Sequence, residues 1–324
     1  MPTVINFVIN SEEKDQTIIS FLKKRFKNTP LSLIYKLFRA KKIKLNEQDI
    51  RYYHHRLKEK DKIDIFDQSL KIATLPIFQK PPVSTIKFEI IYEDDNLLIV
   101  LKNHGIPMRS LEDNLDKAVN YYLYKQDPQD YQQKISSYFF YTAVHRLDKL
   151  TKGLVIYPKN NEAKKVLYNG IKDKQNITKT YLAVCENFHN VSLPSLVEGF
   201  IYKNEAKEKM VFSQKKPFEN HGEIKQCAME IEILYKKKNF NLLKIILHTG
   251  RKHQIRAILS FFKTPIVGDK KYGSHFLLND KIYLFAYQLT FQKNAQPLNY
   301  LEGKSFVLEG LEGELTNIIR KENF

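Results

Sequence analysis

Cysteine is scarce in this chain: only Cys185 and Cys227 occur, with no paired spacing, which excludes a disulfide framework and a thiolate metal site. A reducing cytosol is the expected setting. Long hydrophobic runs are missing as well, since no stretch approaches the roughly 20 apolar residues that span a bilayer. The opening residues, MPTVINFVINSEEK, have neither a basic start nor an apolar run of signal-peptide length. A soluble, cytoplasmic protein with no membrane partner is expected. The chain has no glycine-rich phosphate loop and no clustered metal ligands, so neither a metal nor an organic cofactor is expected. No internal repeat is present. Acidic residues are in short supply: 36 Asp and Glu face 53 Lys and Arg, a formal net charge of +17. Such a field favours a polyanion, and RNA, DNA and an acidic membrane surface all qualify on charge alone. Many of the lysines serve only to solubilise the surface.

Apolar residues supply 43% of the 324 positions, enough for a real core, and the length favours two domains. Near the start, Ile18, Ile19, Leu22 and Phe26 recur at helical spacing. Leu33, Ile34, Leu37 and Phe38 repeat the pattern after Pro30. The outer face of the second helix holds Lys36 and Arg39, and Lys41 and Lys42 follow before a short strand, Ile43 to Leu45. Another strand is expected from Lys62 to Phe66. The result is a small α/β module over residues 1–68 with a basic helix end suited to phosphates. On charge alone the same lysines read equally well as a solvated face. Residues 69–85, with three prolines and no periodicity, read as a linker.

Beyond it, residues 86–324 form the larger domain. Strands are expected at Leu97 to Leu101, Gly153 to Tyr157, Lys179 to Val184, Met229 to Leu234, Asn241 to His248 and Ile282 to Phe291. Helices are expected from Asp113 to about Lys125, from Glu162 to Asn169 with Gly170 as the stop, and from Lys252 to Phe261. Many strands with few, separated helices predict an α+β fold on a mixed, mainly antiparallel sheet.

Two segments concentrate chemistry. AVHRLDKLTKGLVIYPKN, residues 143–160, puts His145, Arg146, Asp148 and Thr151 in a turn before an apolar strand. A carboxylate with a cation beside it stays ionised in a partly dry site and can act as nucleophile or base. Taken alone, a structural ion pair is the commoner explanation. HTGRKHQIRAILSFFKTPIVGDKKYG, residues 248–273, predicts a helix with Ile255, Ile258, Leu259 and Phe262 facing inward. Its first turn and outer face would carry Arg251, Lys252, His253, Gln254 and Arg256, donors suited to phosphate, with an arginine able to reach a buried aspartate. His253 reads as well as a structural histidine as it does as a proton carrier.

HRLD followed by T-x-G-L resembles the HRLDxxTSGL signature of RluA-type pseudouridine synthases. TGRKHQIR with PIVGDKKYG resembles their second signature, GRxHQIR with PIxGDxxYG. KTYLAV and NLLIVLKNHGIPM are similar to two further family segments, and together with the N-terminal module the resemblance spans nearly the whole chain. The N-terminal segment resembles the small RNA-binding module named after a ribosomal small-subunit protein, with Glu47 and Lys60 where its glycines are usual. The resemblance implies a catalytic Asp148, an ion-pair partner in Arg256, an arginine that holds the flipped base in Arg146, and a tyrosine against that base in Tyr181. It further implies structured RNA as partner, ribosomal RNA or an assembling large subunit, and a monomer needing no cofactor. This chain departs from the pattern at Lys152 for serine, Asn103 for proline, Arg109 near the usual histidine, and Ala257-Ile258 for Val-His. A noncatalytic RNA-binding or assembly factor, a hydrolase using Asp148 with His145 or His253, and a DNA-binding regulator are the rival readings.

Overall fold

The computed structural model describes residues 4–322, apart from 27–28, 68–69, 71–79, 173–175, 189, 207, 218–222, 277 and 279–280. Contacts between Cα positions separate two compact units. The first takes in Met1–Pro82, Asn120–Tyr141 and Asn160–Glu162; the second takes in Val83–Val119, Thr142–Lys159 and Ala163–Phe324. Segments 120–141 and 160–162, which the sequence groups with the larger domain, thus belong to the first unit. Most of the expected linker lies outside the described residues, and 80–85 has neither helix nor strand.

In the first unit, β1 (Ile5–Val8) precedes α1 (Ile18–Arg25) and α2 (Leu31–Arg39). Thr17 caps α1 by accepting from the Ser20 amide, and α2 starts directly after Pro30. The apolar stripe read from the sequence is the one buried: Ile18, Leu22, Phe26, Ile34, Leu37 and Phe38 pack with Ile43, Ile63 and Ile65. β2 (Ile43–Leu45), β3 (Gln48–Asp49) and β4 (Lys62–Ile65) complete an antiparallel sheet in the order β1-β4-β2-β3. Leu45 pairs with Gln48, so Asn46 and Glu47 form a two-residue hairpin loop with φ of 48° and 67°. That geometry is the type I′ turn that prefers Asn-Gly. Asn46 secures it by donating to Asp61 Oδ1 at 2.8 Å and accepting from the Lys62 amide at 2.8 Å, while Glu47 holds a left-handed backbone without being glycine.

In the second unit, β5 (Glu89–Glu93) and β6 (Leu97–Lys102) are followed by α3 (Leu115–Gln126), which starts in this unit and ends in the first. The helix α4 (Pro128–Ser136) returns to the first unit. Then come β7 (Lys152–Pro158), α5 (Asn161–Lys172), β8 (Ile177–Glu186), β9 (Leu196–Asn204), β10 (Lys209–Ser213), β11 (Lys225–Lys237) and β12 (Phe240–Leu247). The chain closes with α6 (Gln254–Phe261), β13 (Leu284–Phe291), β14 (Ser305–Val307) and α7 (Leu311–Lys321). The larger sheet runs β10-β9-β11-β12-β8-β13-β7-β6-β5, with β14 beside β13. Its pairings are antiparallel except that of β13 with β7, so the fold is α+β on a mixed, mainly antiparallel sheet. β6, β7 and β8 are buried along nearly their whole length because both faces are covered. One cluster packs Leu97, Ile99, Leu154 and Ile156 against Ala163 and Leu167 of α5; another packs Leu182, Val184 and Leu242 against Leu311, Leu315 and Ile319 of α7.

The helix expected to stop at Gly170 continues to Lys172. A Cβ on Gly170 would lie 3.2 Å from the Asn176 side chain, so this glycine permits close packing rather than ending the helix. Gly153, at φ 144°, is needed for a different close approach: a Cβ there would lie 2.4 Å from the Ala286 carbonyl across the parallel pair. Cys185 and Cys227 are buried free thiols, and burial pushes Cys227 up to about 11.

Candidate active site

Sheet register assembles the site. Ala286 pairs with Gly153 on one side and with Tyr181 on the other, so the start of β7 and the middle of β8 stand level, one strand apart. Ile245 of β12 pairs with Tyr181 in turn, and β12 then leads through the turn at Thr249 and Gly250 into α6. The turn ahead of β7, the ring of Tyr181 and the first residues of α6 therefore meet around one cavity of about 270 Å³.

The turn that carries Asp148 is pinned from several directions. The Thr151 amide donates to the Asp148 carbonyl at 3.1 Å. Lys102 is fully buried, and its Nζ donates to the carbonyls of Asn103, Ile106 and Lys149 at 3.0, 2.9 and 3.0 Å. Three acceptors match the three N–H bonds of an ammonium and tie the Gly105 turn to the one that carries Asp148. Burial pushes Lys102 down to about 7, with Asp148 pulling the other way. His104 Nδ1 lies 2.7 Å from the Leu150 carbonyl, which only accepts, so the proton is on Nδ1. His145 Nε2 accepts from the Ile156 amide at 3.2 Å, and its sealed Nδ1 has no partner among the described residues. Burial lowers His145 to about 3, so the ring is neutral near pH 7.

Asp148 receives Arg256 Nη1 at 3.2 Å. The same guanidinium makes a two-pronged bond to Asp269, Nε to Oδ2 at 2.6 Å and Nη2 to Oδ1 at 2.9 Å. Burial works against the Arg256 charge, and the bonds to Asp269 and Asp148 outweigh it, holding the group above its ordinary value. Tyr272 lies under the guanidinium with 4.8 Å from ring centre to carbon, and its hydroxyl accepts from the Met210 amide at 3.1 Å. His253 bridges the two: Nδ1 is 2.9 Å from the Tyr272 hydroxyl and Nε2 is 3.7 Å from Asp148 Oδ2. Burial lowers His253 to about 4 although Asp148 opposes the shift, so the ring is neutral near pH 7.

The structure thus brings Asp148, Arg256, Tyr181, Arg146, Arg251, Lys252 and His253 to one cavity. Arg146, Arg251 and Lys252 are exposed at its edge, while Tyr181 is buried in its wall on β8. Asp148 is the single carboxylate among the described residues that line it. Arg256 lies inside the protein as the ion-pair partner of Asp148 that the resemblance implies, with its charge matched by two carboxylates. One expectation is corrected. Gln254, expected among the RNA contacts, is buried and serves as a strut. Its Oε1 accepts from Thr249 Oγ1 at 2.6 Å and from the Arg251 amide at 3.1 Å, while Nε2 donates to the Ala228 carbonyl at 3.0 Å. Lys36, Arg39, Lys41 and Lys42 are exposed on the first unit; Lys41 pairs with Asp49 at 3.5 Å and Lys42 with Asp67 at 2.8 Å.

The sequence reading missed Lys102, Lys179, Asp269 and Tyr272. Lys179 lines the cavity, and burial lowers its pKa. All four lie inside the motifs quoted, but their roles depend on contacts across the fold.

Residues 96–261 match the family model described as RNA pseudouridylate synthase. A Mycoplasma capricolum protein described as an uncharacterized RNA pseudouridine synthase is 37% identical over 303 residues, 93% of this chain and 96% of its own length. The chain belongs to the RNA pseudouridylate synthase family. It is therefore an isomerase that acts on RNA, of the RluA type. A ribosomal large subunit pseudouridine synthase C of Buchnera aphidicola is 30% identical to the synthase over 271 residues, 82% of this chain and 80% of that one. Among solved structures, human RNA pseudouridylate synthase domain containing 4 shares the fold, with a TM-score of 0.54 and 20% identity over 72% of this chain and 93% of that one.

Proposed function

We propose that the synthase converts specific uridines of large-subunit ribosomal RNA to pseudouridine, with Asp148 as the catalytic carboxylate. The observation that carries the reading is electrostatic: one carboxylate, braced by a buried arginine, lines a cavity otherwise rich in cations. A polyanionic strand is drawn to that cavity, and the acid it meets there is Asp148. The family of relatives named for the ribosomal large subunit, including those of Buchnera aphidicola and Haemophilus ducreyi, supports the choice of RNA.

The reaction breaks the bond from uracil N1 to the sugar, turns the base, and joins C5 to the sugar, with the C5 proton moving to N1 in net terms. Atoms balance without oxidant or phosphate donor. The uridine is flipped out of the RNA at a cost of a few kcal/mol, which contacts with Tyr181 and Arg146 offset in part. Tyr181 packs against the base, and the enclosed wall retains the detached uracil. Asp148 acts beside the sugar and base while Arg256 holds it in orientation. Lys36, Arg39, Lys41 and Lys42 give the N-terminal module a grip on RNA phosphates. The enzyme acts as a cytoplasmic monomer on ribosomal RNA or an assembling large subunit.

The test is to incubate the protein with unmodified ribosomal RNA and map pseudouridine by carbodiimide labelling and primer extension. Conversion of one or a few uridines is the expected result. Tight binding with no conversion on naked ribosomal RNA, on assembling particles or on transfer RNA would instead make the protein a noncatalytic RNA-binding factor.

A further inference from the structure

A second cavity, of about 550 Å³, lies behind the catalytic turn and shares Val144, His145, Arg146 and Leu147 with the first. We propose that it receives an unpaired nucleotide of the RNA directly flanking the target uridine, held by Arg109, Lys149 and Tyr168. This rests on the function proposed above and names a specificity subsite for it.

Three observations carry the inference. The first is position: a wall four residues long separates the cavities, so a strand that fills one presents its next nucleotide to the other. The second is charge. Arg109, Arg146 and Lys149 line the second cavity and are exposed, and no carboxylate is among the described residues that line it. Arg109 is pre-aimed: its Nε donates to Asp116 Oδ2 at 2.7 Å, and Asp116 Oδ1 accepts from the Tyr157 hydroxyl at 2.7 Å. The other nitrogens of that guanidinium have no hydrogen bond or ion pair among the described residues, as suits a group kept for a phosphate. The third is the aromatic surface. Tyr168 stands on α5, whose Ala163 and Leu167 are buried in the core, and it is itself 60% exposed with no ring partner among the described residues. Pro107 and buried Met108 complete an apolar wall. A flat ring beside cations is the surface that stacks an unpaired base and holds its phosphate.

The test is a cycle on a short RNA that carries a target uridine, with an abasic residue placed at the flanking position on each side in turn. Native protein and Tyr168→Ala are compared for kcat/KM, and for Kd in the Asp148→Asn background. Removing the flanking base on one side is expected to weaken the native protein roughly 5- to 150-fold, the range for stacking on an aromatic. Tyr168→Ala should lose as much on intact RNA and nothing further on the abasic RNA. Arg109→Ala should raise KM with little change in kcat, and Arg109→Lys should restore part of the loss. Equal, independent losses for Tyr168→Ala and the abasic residue, or no effect of either, would overturn the subsite. Failure of native protein to convert any uridine overturns the proposed function separately, because the binding half of the cycle still reports on the subsite.

Discussion

Asp269 offers the sharpest perturbation of the buried charge network. Replacing it with asparagine keeps the shape and one acceptor oxygen but removes the charge and sets an amide donor against a guanidinium nitrogen. Arg256 is 5% exposed at its side chain and Asp269 is 1% exposed, so solvent does not replace the lost partner. Taking one member from a buried pair costs about 3–5 kcal/mol, because the remaining charge stays desolvated. Asp148 still holds one nitrogen of Arg256 at 3.2 Å, which places the expected loss at the lower end, about 3 kcal/mol. In a domain of this size each kcal/mol lowers Tm by about 2–4 °C, so the Asp269→Asn protein should melt roughly 6–12 °C lower. With its second anchor gone, Arg256 no longer fixes the orientation of Asp148, and kcat should fall more than KM rises. Thermal unfolding together with steady-state turnover on one RNA substrate checks both parts. A fall of under about 3 °C with unchanged kcat refutes the bracing role assigned to the network.

Lys102→Met probes the buried amine. Burial sets the folded pKa of Lys102 near 7, below the value of about 10.4 in the unfolded chain. Between those limits the unfolded state binds the extra proton, so the contribution of Lys102 to stability grows as pH rises. The stability difference between native protein and Lys102→Met should therefore widen in favour of the native protein between about pH 7 and 10 in denaturant titrations; a constant difference contradicts it. Arg39 has no acidic partner among the described residues, whereas Lys42 is paired with Asp67 at 2.8 Å. Arg39→Ala should lower the slope of log affinity against log salt by about 1, and Lys42→Ala by less, in filter binding to ribosomal RNA. Glu47→Gly should be neutral or stabilising by under about 1 kcal/mol, since relief of the left-handed backbone outweighs the added freedom of the unfolded chain. A clear loss of stability in chemical denaturation would contradict that reading of the hairpin.

The sequence exposed those parts of the fold that follow from local periodicity. Ile18, Leu22 and Phe26 mark α1, and the apolar run of β6 marks a central strand covered on both faces. Elements with weak patterning escaped. α4 reads PQDYQQKIS and buries Tyr131 alone, and β9 alternates irregularly through Gly199 and Lys203. Gly170 misled because a glycine that allows tight packing looks, in one dimension, like one that ends a helix. At the site, Asp148, Arg146 and Tyr181 were legible because each stands in a motif. Asp269 and Lys102 were not: their importance comes from charge pairing and carbonyl contacts between segments far apart in the chain. Gln254 was read among the RNA contacts for the same reason, since a polar residue on a helix is read as outward until its buried partner is known.

The most direct measurement of the central claim is release of tritium from C5-labelled uridine in ribosomal RNA, comparing native protein with Asp148→Asn under single turnover. Asparagine preserves the size of the side chain and an acceptor for Arg256, so the fold and RNA affinity should persist. The account predicts release by the native protein, release at background by Asp148→Asn, and RNA binding by both within about threefold. Release by Asp148→Asn at a rate near that of the native protein would contradict the assignment of Asp148 as the catalytic carboxylate.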